Sequence, residues 1–138
     1  MPLPGPDAHV VLIAERDQTV RELQEYFLAN AGLAVVFADD GEAALELAHA
    51  LRPAAVVTEI LIPRLDGLAL CRRLGEDPGT AHIPVIVFSI LAAAGRAAEA
   101  GARTFLRKPL VGPVFVAAVN DLIAPRPSAV MEEQCPSR

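Results

Sequence analysis

The stretch Pro53-Ala54-Ala55-Val56-Val57-Thr58-Glu59-Ile60-Leu61-Ile62-Pro63-Arg64-Leu65-Asp66-Gly67 decides the fold. Ala54 to Thr58 is a short apolar run, which reads as a strand. Glu59 to Asp66 reads as a loop containing Pro63. Asp66 suits the N-cap of a helix, because its side chain can accept from the free backbone N–H groups of the first turn. That helix carries Leu70, Cys71 and Leu74 at helical spacing.

The same alternation extends in both directions. Toward the amino terminus, Val10 to Ala14 is an apolar, β-branched run that predicts a strand buried on both faces. Asp17 is a candidate N-cap, and Val20, Leu23, Phe27 and Ala31 are expected on one helix face that Gly32 ends. Leu33 to Ala38 reads as a second strand. After the turn Asp39-Asp40-Gly41, a helix carries Ala44, Leu45, Ala48 and Leu51 on one face and stops before Pro53. Toward the carboxyl terminus, Gly75 to His82 is a polar loop and Pro84 to Phe88 a fourth strand. Ala92 to Ala100 is a weak alanine-rich helix, and Thr104 to Leu106 a short fifth strand. A last helix, Val111 to Ile123, is expected to turn Val111, Val114, Phe115, Ala118 and Leu122 to one face.

Five strands alternating with five helices call for an α/β fold, a parallel sheet covered on both sides. In such sheets ligand sites lie beyond the carboxyl ends of the strands, near the switch point. The positions after the strands bring Glu15 and Arg16, Glu59, Ser89, and Arg107-Lys108-Pro109 to that edge. One domain is expected over 8–124, with a flexible leader at 1–7 and a disordered tail or linker start at 125–138.

Composition narrows the function. With 12 basic and 17 acidic residues, the net charge of −5 lacks the footprint of a nucleic-acid binder. Cys71 and Cys135 read as a buried thiol and a tail thiol, and the scattered His9, His49 and His82 offer no zinc spacing. No apolar run is long enough to span a bilayer and no signal peptide opens the chain, so a cytoplasmic protein is expected.

Several stretches together resemble the response-regulator receivers of two-component signalling, over roughly residues 9–123. They are Val11 to Asp17, Val20-Arg21-Glu22-Leu23, Asp40 to Leu45, Pro53 to Gly67, Ile83 to Ser89, and Ala100-Gly101-Ala102 through Lys108-Pro109. The resemblance implies a flavodoxin-like, doubly wound (βα)5 fold with strand order 2-1-3-4-5. It implies that an aspartate after the third strand accepts a phosphoryl group from a phosphohistidine. Acids after the first strand help to hold Mg²⁺, a hydroxyl after the fourth strand and a lysine after the fifth bind the phosphoryl group, and a cis proline aims that lysine. Residue by residue, Glu15 falls at the first acid, Ser89 at the hydroxyl, Phe105 at the switching aromatic, Lys108 at the lysine and Pro109 at its proline. Glu59 falls where the phosphoacceptor belongs, and Arg16 where the second acid belongs.

These departures shape the expectation. Glu59 moves the carboxylate by ~1.5 Å, one carbon–carbon bond, and a ~1 Å misplacement can cost about a hundredfold in rate. The longer side chain can meet Lys108 without any phosphate. Two readings stand for Arg16: it pairs with Glu59 or Glu15 and substitutes for the metal charge, or it points to solvent. Mg²⁺ binding through Glu15 and Glu59 is expected to be weakened. The span from Ser89 to Gly101 is shorter than the family's usual pattern, which predicts a short or irregular fourth helix.

The function expected is that of a single-domain, atypical receiver, not an enzyme beyond residual phosphoacceptor activity. It would act by contacting a histidine kinase or a downstream signalling protein, with a homodimer through the last helix face as one form. The alternative is a working phosphoreceiver that takes its phosphoryl group from a histidine kinase. A small-ligand or flavin binder on the same architecture would want a glycine-rich phosphate loop after the first strand, and none is present.

Overall fold

A computed structural model describes residues 9–124. The expected leader at 1–7 and tail at 125–138 lie outside the described residues. Five strands and five helices alternate: β1 (Val10–Ala14), α1 (Gln18–Asn30), β2 (Ala34–Ala38), α2 (Gly41–Leu51), β3 (Ala55–Thr58), α3 (Gly67–Glu76), β4 (Val85–Ser89), α4 (Ala94–Glu99), β5 (Thr104–Arg107) and α5 (Gly112–Ile123). All pairings are parallel and the strand order is β2-β1-β3-β4-β5. The fold is therefore the two-sided parallel sheet that the alternation calls for, in the flavodoxin-like order that the family resemblance implies.

Strand periodicity of two builds the two cores. Leu12, Ala14, Val56, Val85 and Val87 face α2, α3 and α4, where Ala44, Ala48, Leu70, Cys71, Leu74 and Ala97 meet them. Val11, Ile13, Val57, Ile86 and Phe88 face α1 and α5, where Leu28, Phe115 and Val119 meet them. The alanines at 44, 48 and 97 have no exposed surface, which lets those helices lie close on the sheet.

Three of the five helix starts are set by aspartates. Asp17, Asp40 and Asp66 accept from the N–H groups of Val20, Ala43 and Ala69 respectively. Helix α4 is short, as the reduced Ser89–Gly101 spacing predicts, and starts later than Ala92. Among the described residues, no helix is long and apolar enough to cross a membrane.

Two helix faces differ from expectation. On α1, Leu23 is 42% exposed and Ala31 is exposed, whereas Gln24 and Leu28 are buried beside the half-buried Val20 and Phe27. The polar Gln24 hid the i, i+4 ridge that meets the sheet. On α5, Val111 and Val114 are 56% and 53% exposed, and Phe115 and Val119 form the buried ridge. That helix is apolar nearly all round, so periodicity alone does not single out its inner face.

Candidate functional site

The register of the parallel strands brings four side chains to one edge. Ala14 pairs with Thr58, so Glu15 and Glu59 leave adjacent strands side by side. Ser89 pairs with Arg107, which sets Lys108 next to Ser89, and the Lys108 N–H donates to the Ser89 carbonyl at 2.9 Å. Because β1 lies between β2 and β3, the crevice at their carboxyl ends is the switch point of the sheet.

Lys108 is the centre of the cluster. Its Nζ lies 3.0 Å from Glu15 Oε1 and 3.0 Å from Glu59 Oε1. It also donates to Glu15 Oε2 at 3.2 Å, and it stands 5.5 Å from the centre of the Phe88 ring. The peptide bond that follows it, Lys108–Pro109, is cis. The other Glu59 oxygen, Oε2, accepts from the Ser89 hydroxyl, from the Ile60 N–H at 2.5 Å and from the Leu61 N–H at 3.1 Å. The Ser89 Oγ in turn accepts from the Leu91 N–H at 3.2 Å. Phe105, on β5, is half-buried and packs against the α2–α3–α4 core.

Burial sets the electrostatics. Glu15, Glu59 and Ser89 are buried, and the Lys108 side chain is only 16% exposed. Burial pushes the Glu59 carboxyl upward, but hydrogen bonds from Ser89, the Leu61 N–H and Lys108 outweigh it and hold the group below its ordinary value. Burial likewise pushes Lys108 down, and its hydrogen bonds to Glu59 and Glu15 more than reverse this, leaving the ammonium above its ordinary value. Both shifts favour the charged forms, so Glu59 and Lys108 form a buried, hydrogen-bonded ion pair, with Glu15 set against the same ammonium.

Arg16 takes no part in it. Its side chain is exposed, and among the described residues it makes no ion pair with Glu15 or Glu59. The pairing reading is corrected: the lysine, reaching in from β5 and aligned by hydrogen bonds to both acids, already supplies the positive charge. Asp17 turns away to cap α1, and its N–H donates to Glu15 Oε2 at 3.2 Å. Among the described residues no group of three or more His, Cys, Asp or Glu side chains is placed to hold a metal ion.

Two features were not legible in the sequence. Arg21 reaches back from α1 to donate to the carbonyl oxygens of Glu15 and Ala38 and to Asp39 Oδ1, stacked 5.0 Å over Phe37. It ties the ends of β1 and β2 together beneath the acidic loop; a cation on the first turns of a helix after a strand is the faint signal for it. The glycines at 41 and 67 are the second feature. A Cβ at Gly67 would fall 2.2 Å from the Glu59 carbonyl oxygen, and one at Gly41 would fall 1.8 Å from that of Leu65. The loop bearing Glu59 is thus packed directly on the starts of α2 and α3.

Comparison with known proteins agrees with this architecture. The family model described as the response regulator receiver domain matches residues 11–120. The transcriptional regulatory protein CseB of Streptomyces avermitilis is 34% identical over 116 residues, covering 82% of this chain and 48% of that protein. The chain thus spans about half the length of that curated relative. The receiver domain of a signal transduction histidine kinase from Syntrophus aciditrophicus superposes with a TM-score of 0.80 at 31% identity, covering 88% of this chain and 96% of that one. The receiver domain of the sensor histidine kinase PA1611 from Pseudomonas aeruginosa shares the fold, with a TM-score of 0.78 at 21% identity, covering 86% of this chain and 99% of that one. Its structure has a magnesium ion coordinated in the active-site cleft. With its sheet order, its strand-end cluster and these likenesses in agreement, the chain belongs to the response regulator receiver domain family of two-component signalling.

Proposed function

We propose that this chain is an atypical receiver, a protein-interaction module whose state is set by Glu59 itself and not by a phosphoryl group. The observation that carries this reading is that the Glu59 carboxylate already meets both Ser89 and Lys108. Those are the two residues at the positions that bind the phosphoryl group in the family. Glu59 is thus the residue at the phosphoacceptor position, Ser89 and Phe105 the switch pair, and Lys108 the pairing lysine.

The same contacts quench Glu59 as a nucleophile. One oxygen is shared with an ammonium and the other accepts three hydrogen bonds, so attack on phosphorus would first have to break them. The carboxylate is also displaced by one methylene, ~1.5 Å, from an aspartate's reach. The remaining acid, Glu15, is bound by the same lysine, and Arg16 replaces the second acid. This donor set does not fit Mg²⁺, which wants anionic oxygens free to ligate it.

Such a module acts in the cytoplasm through protein contacts, with a histidine kinase or a downstream signalling protein as partner. The start of α5, where Val111 and Val114 are more than half exposed, is the surface that supports such a contact or self-association. The test is titration of the native protein with Mg²⁺ and beryllofluoride, a phosphoryl mimic, followed by amide NMR at Ile60, Ser89 and Lys108, with Glu59→Asp beside it. No saturable response is expected from the native protein. A saturable, Mg²⁺-dependent response would establish a working phosphoreceiver instead.

A further inference from the structure

We infer that His49 and Asp77 form a proton-operated clasp between α2 and the loop from α3 to β4, closed while the His49 ring carries both its N–H protons and released when it gives one up. The clasp lies at the amino-terminal edge of the sheet, away from the Glu59 pocket, and does not depend on how that pocket is read.

Both ring nitrogens of His49 face oxygens that only accept. Nδ1 lies 3.0 Å from the Leu45 carbonyl oxygen one turn back on α2, and Nε2 lies 2.7 Å from Asp77 Oδ2. A neutral imidazole has one N–H and one lone pair, whereas the imidazolium has two N–H donors. Only the imidazolium satisfies both oxygens; a neutral ring sets a lone pair against one of them and must let it go. The charged ring also stands in the last turn of α2, where the helix dipole favours a cation. The side chains of His49 and Asp77 are 42% and 45% exposed, so solvent protons reach the pair.

Asp77 carries the clasp into the loop. Its Oδ1 accepts from the Gly79 N–H at 2.8 Å, and its carbonyl accepts from the N–H groups of Thr80 and Ala81 at 3.0 and 2.8 Å. The buried Thr80 hydroxyl donates to the Leu74 carbonyl at 2.8 Å, which ties the loop to α3, and His49 ties it to α2. Arg52, at the end of α2, takes the left-handed conformation with φ of 49°, where glycine is favoured. A Cβ added at Gly79 would lie 3.9 Å from Arg52 Nη2, so this guanidinium is turned toward the loop as well. Arg73 and Glu76 of α3 line the groove beside the ring, and Glu46 on α2 is exposed.

The charges agree with the bonding. The hydrogen bond with Asp77, and after it the one with Leu45, holds His49 above its ordinary value of 6.5, against the nearby Arg52. The bond with His49, and after it the Gly79 N–H, holds Asp77 below its ordinary value of 3.8. The clasp is therefore fully closed below the unfolded histidine value, opens as pH rises through the folded one, and opens again in acid as Asp77 protonates.

The experiment is a pH titration of the full chain by ¹⁵N NMR from about pH 5 to about pH 9. It follows the His49 ring nitrogens and the backbone amides of Gly79, Thr80 and Ala81. Both ring nitrogens are expected to be protonated at the acid end and to titrate above 6.5, with the three loop amides moving at the same midpoint. Asp77→Asn, which keeps an acceptor for Gly79 but no charge, is expected to lower the midpoint. His49→Gln is expected to leave the loop amides flat. A native midpoint at or below 6.5, or loop amides that do not follow the ring, would overturn the clasp. So would loop amides that still titrate in His49→Gln, which would assign the movement to the exposed His82. The first two outcomes are read on the native protein, so a variant that fails to fold does not shield the clasp from refutation.

Discussion

Gln24 has no exposed surface, and among the described residues neither its Nε2 nor its Oε1 has a hydrogen-bond partner. A buried polar group left unpaired costs about 1–3 kcal/mol, and the residue lies on the α1 ridge that meets an apolar core. Gln24→Met keeps the length and removes the amide. It is expected to raise the unfolding free energy by about 1–2 kcal/mol, measured by urea denaturation; an unchanged or lower value would mean that the amide is satisfied by ordered water. At this scale the sequence was most informative at strand ends. Glu59, Ser89 and Lys108 were legible there because strand-end positions follow from the alternation, and the reach of Glu59 to Lys108 follows from one added methylene. The behaviour of Arg16 was not legible, since two orientations of one side chain leave the same residue string. Its role was already filled by Lys108, which is far away in the chain and close in space.

Among the elements, α3 offers an internal comparison. Gly67 opens it against the Glu59 carbonyl, whereas Gly75 near its end has nothing within 4 Å of an added Cβ. Gly67→Ala is expected to destabilise by about 1–3 kcal/mol through overpacking and to perturb the amides of Ile60 and Leu61. Gly75→Ala is expected to stabilise by up to about 1 kcal/mol through helix propensity. Equal thermal shifts in the two variants would contradict this account of the Glu59 loop. The inner faces of the helices show where pattern reading runs out. Helix α3 was legible because Leu70, Cys71 and Leu74 are its apolar stripe. Helix α5 was legible only in part: Phe115, Ala118 and Leu122 do pack on the core, but an apolar residue occurs on nearly every side, and the packing of Phe115 against Phe88, with ring centres 5.7 Å apart, helps to select the ridge that leaves Val111 and Val114 outside.

For the whole molecule, the Glu59–Lys108 pair couples stability to pH at both ends. The folded Glu59 carboxyl sits below its ordinary value of 4.5. Its contribution is therefore present above the unfolded value and is lost as pH falls through the folded one. Lys108 sits above its ordinary value of 10.5, so its contribution is present below that and is lost as pH rises through the folded one. Urea unfolding across the acid range is expected to show a steeper loss for the native protein than for Glu59→Gln, and parallel curves would deny Glu59 that role. The two-sided core was legible as a whole because the buried strands and the capped helices pointed to the same architecture, whereas the sheet order was legible only through the family resemblance. The close approach of the Glu59 loop to α2 and α3 was not, because it depends on what a glycine lacks.

The position of Glu59 also bears on time. A phosphoryl group on a carboxylate is a transient visitor that water removes, and its lifetime limits how long a signal lasts. A carboxylate built into the chain and bonded to Ser89 and Lys108 does not decay. On the phosphate-independent reading proposed above, its output would carry no intrinsic clock and would end only when the protein itself is diluted, degraded or taken up by another binding partner.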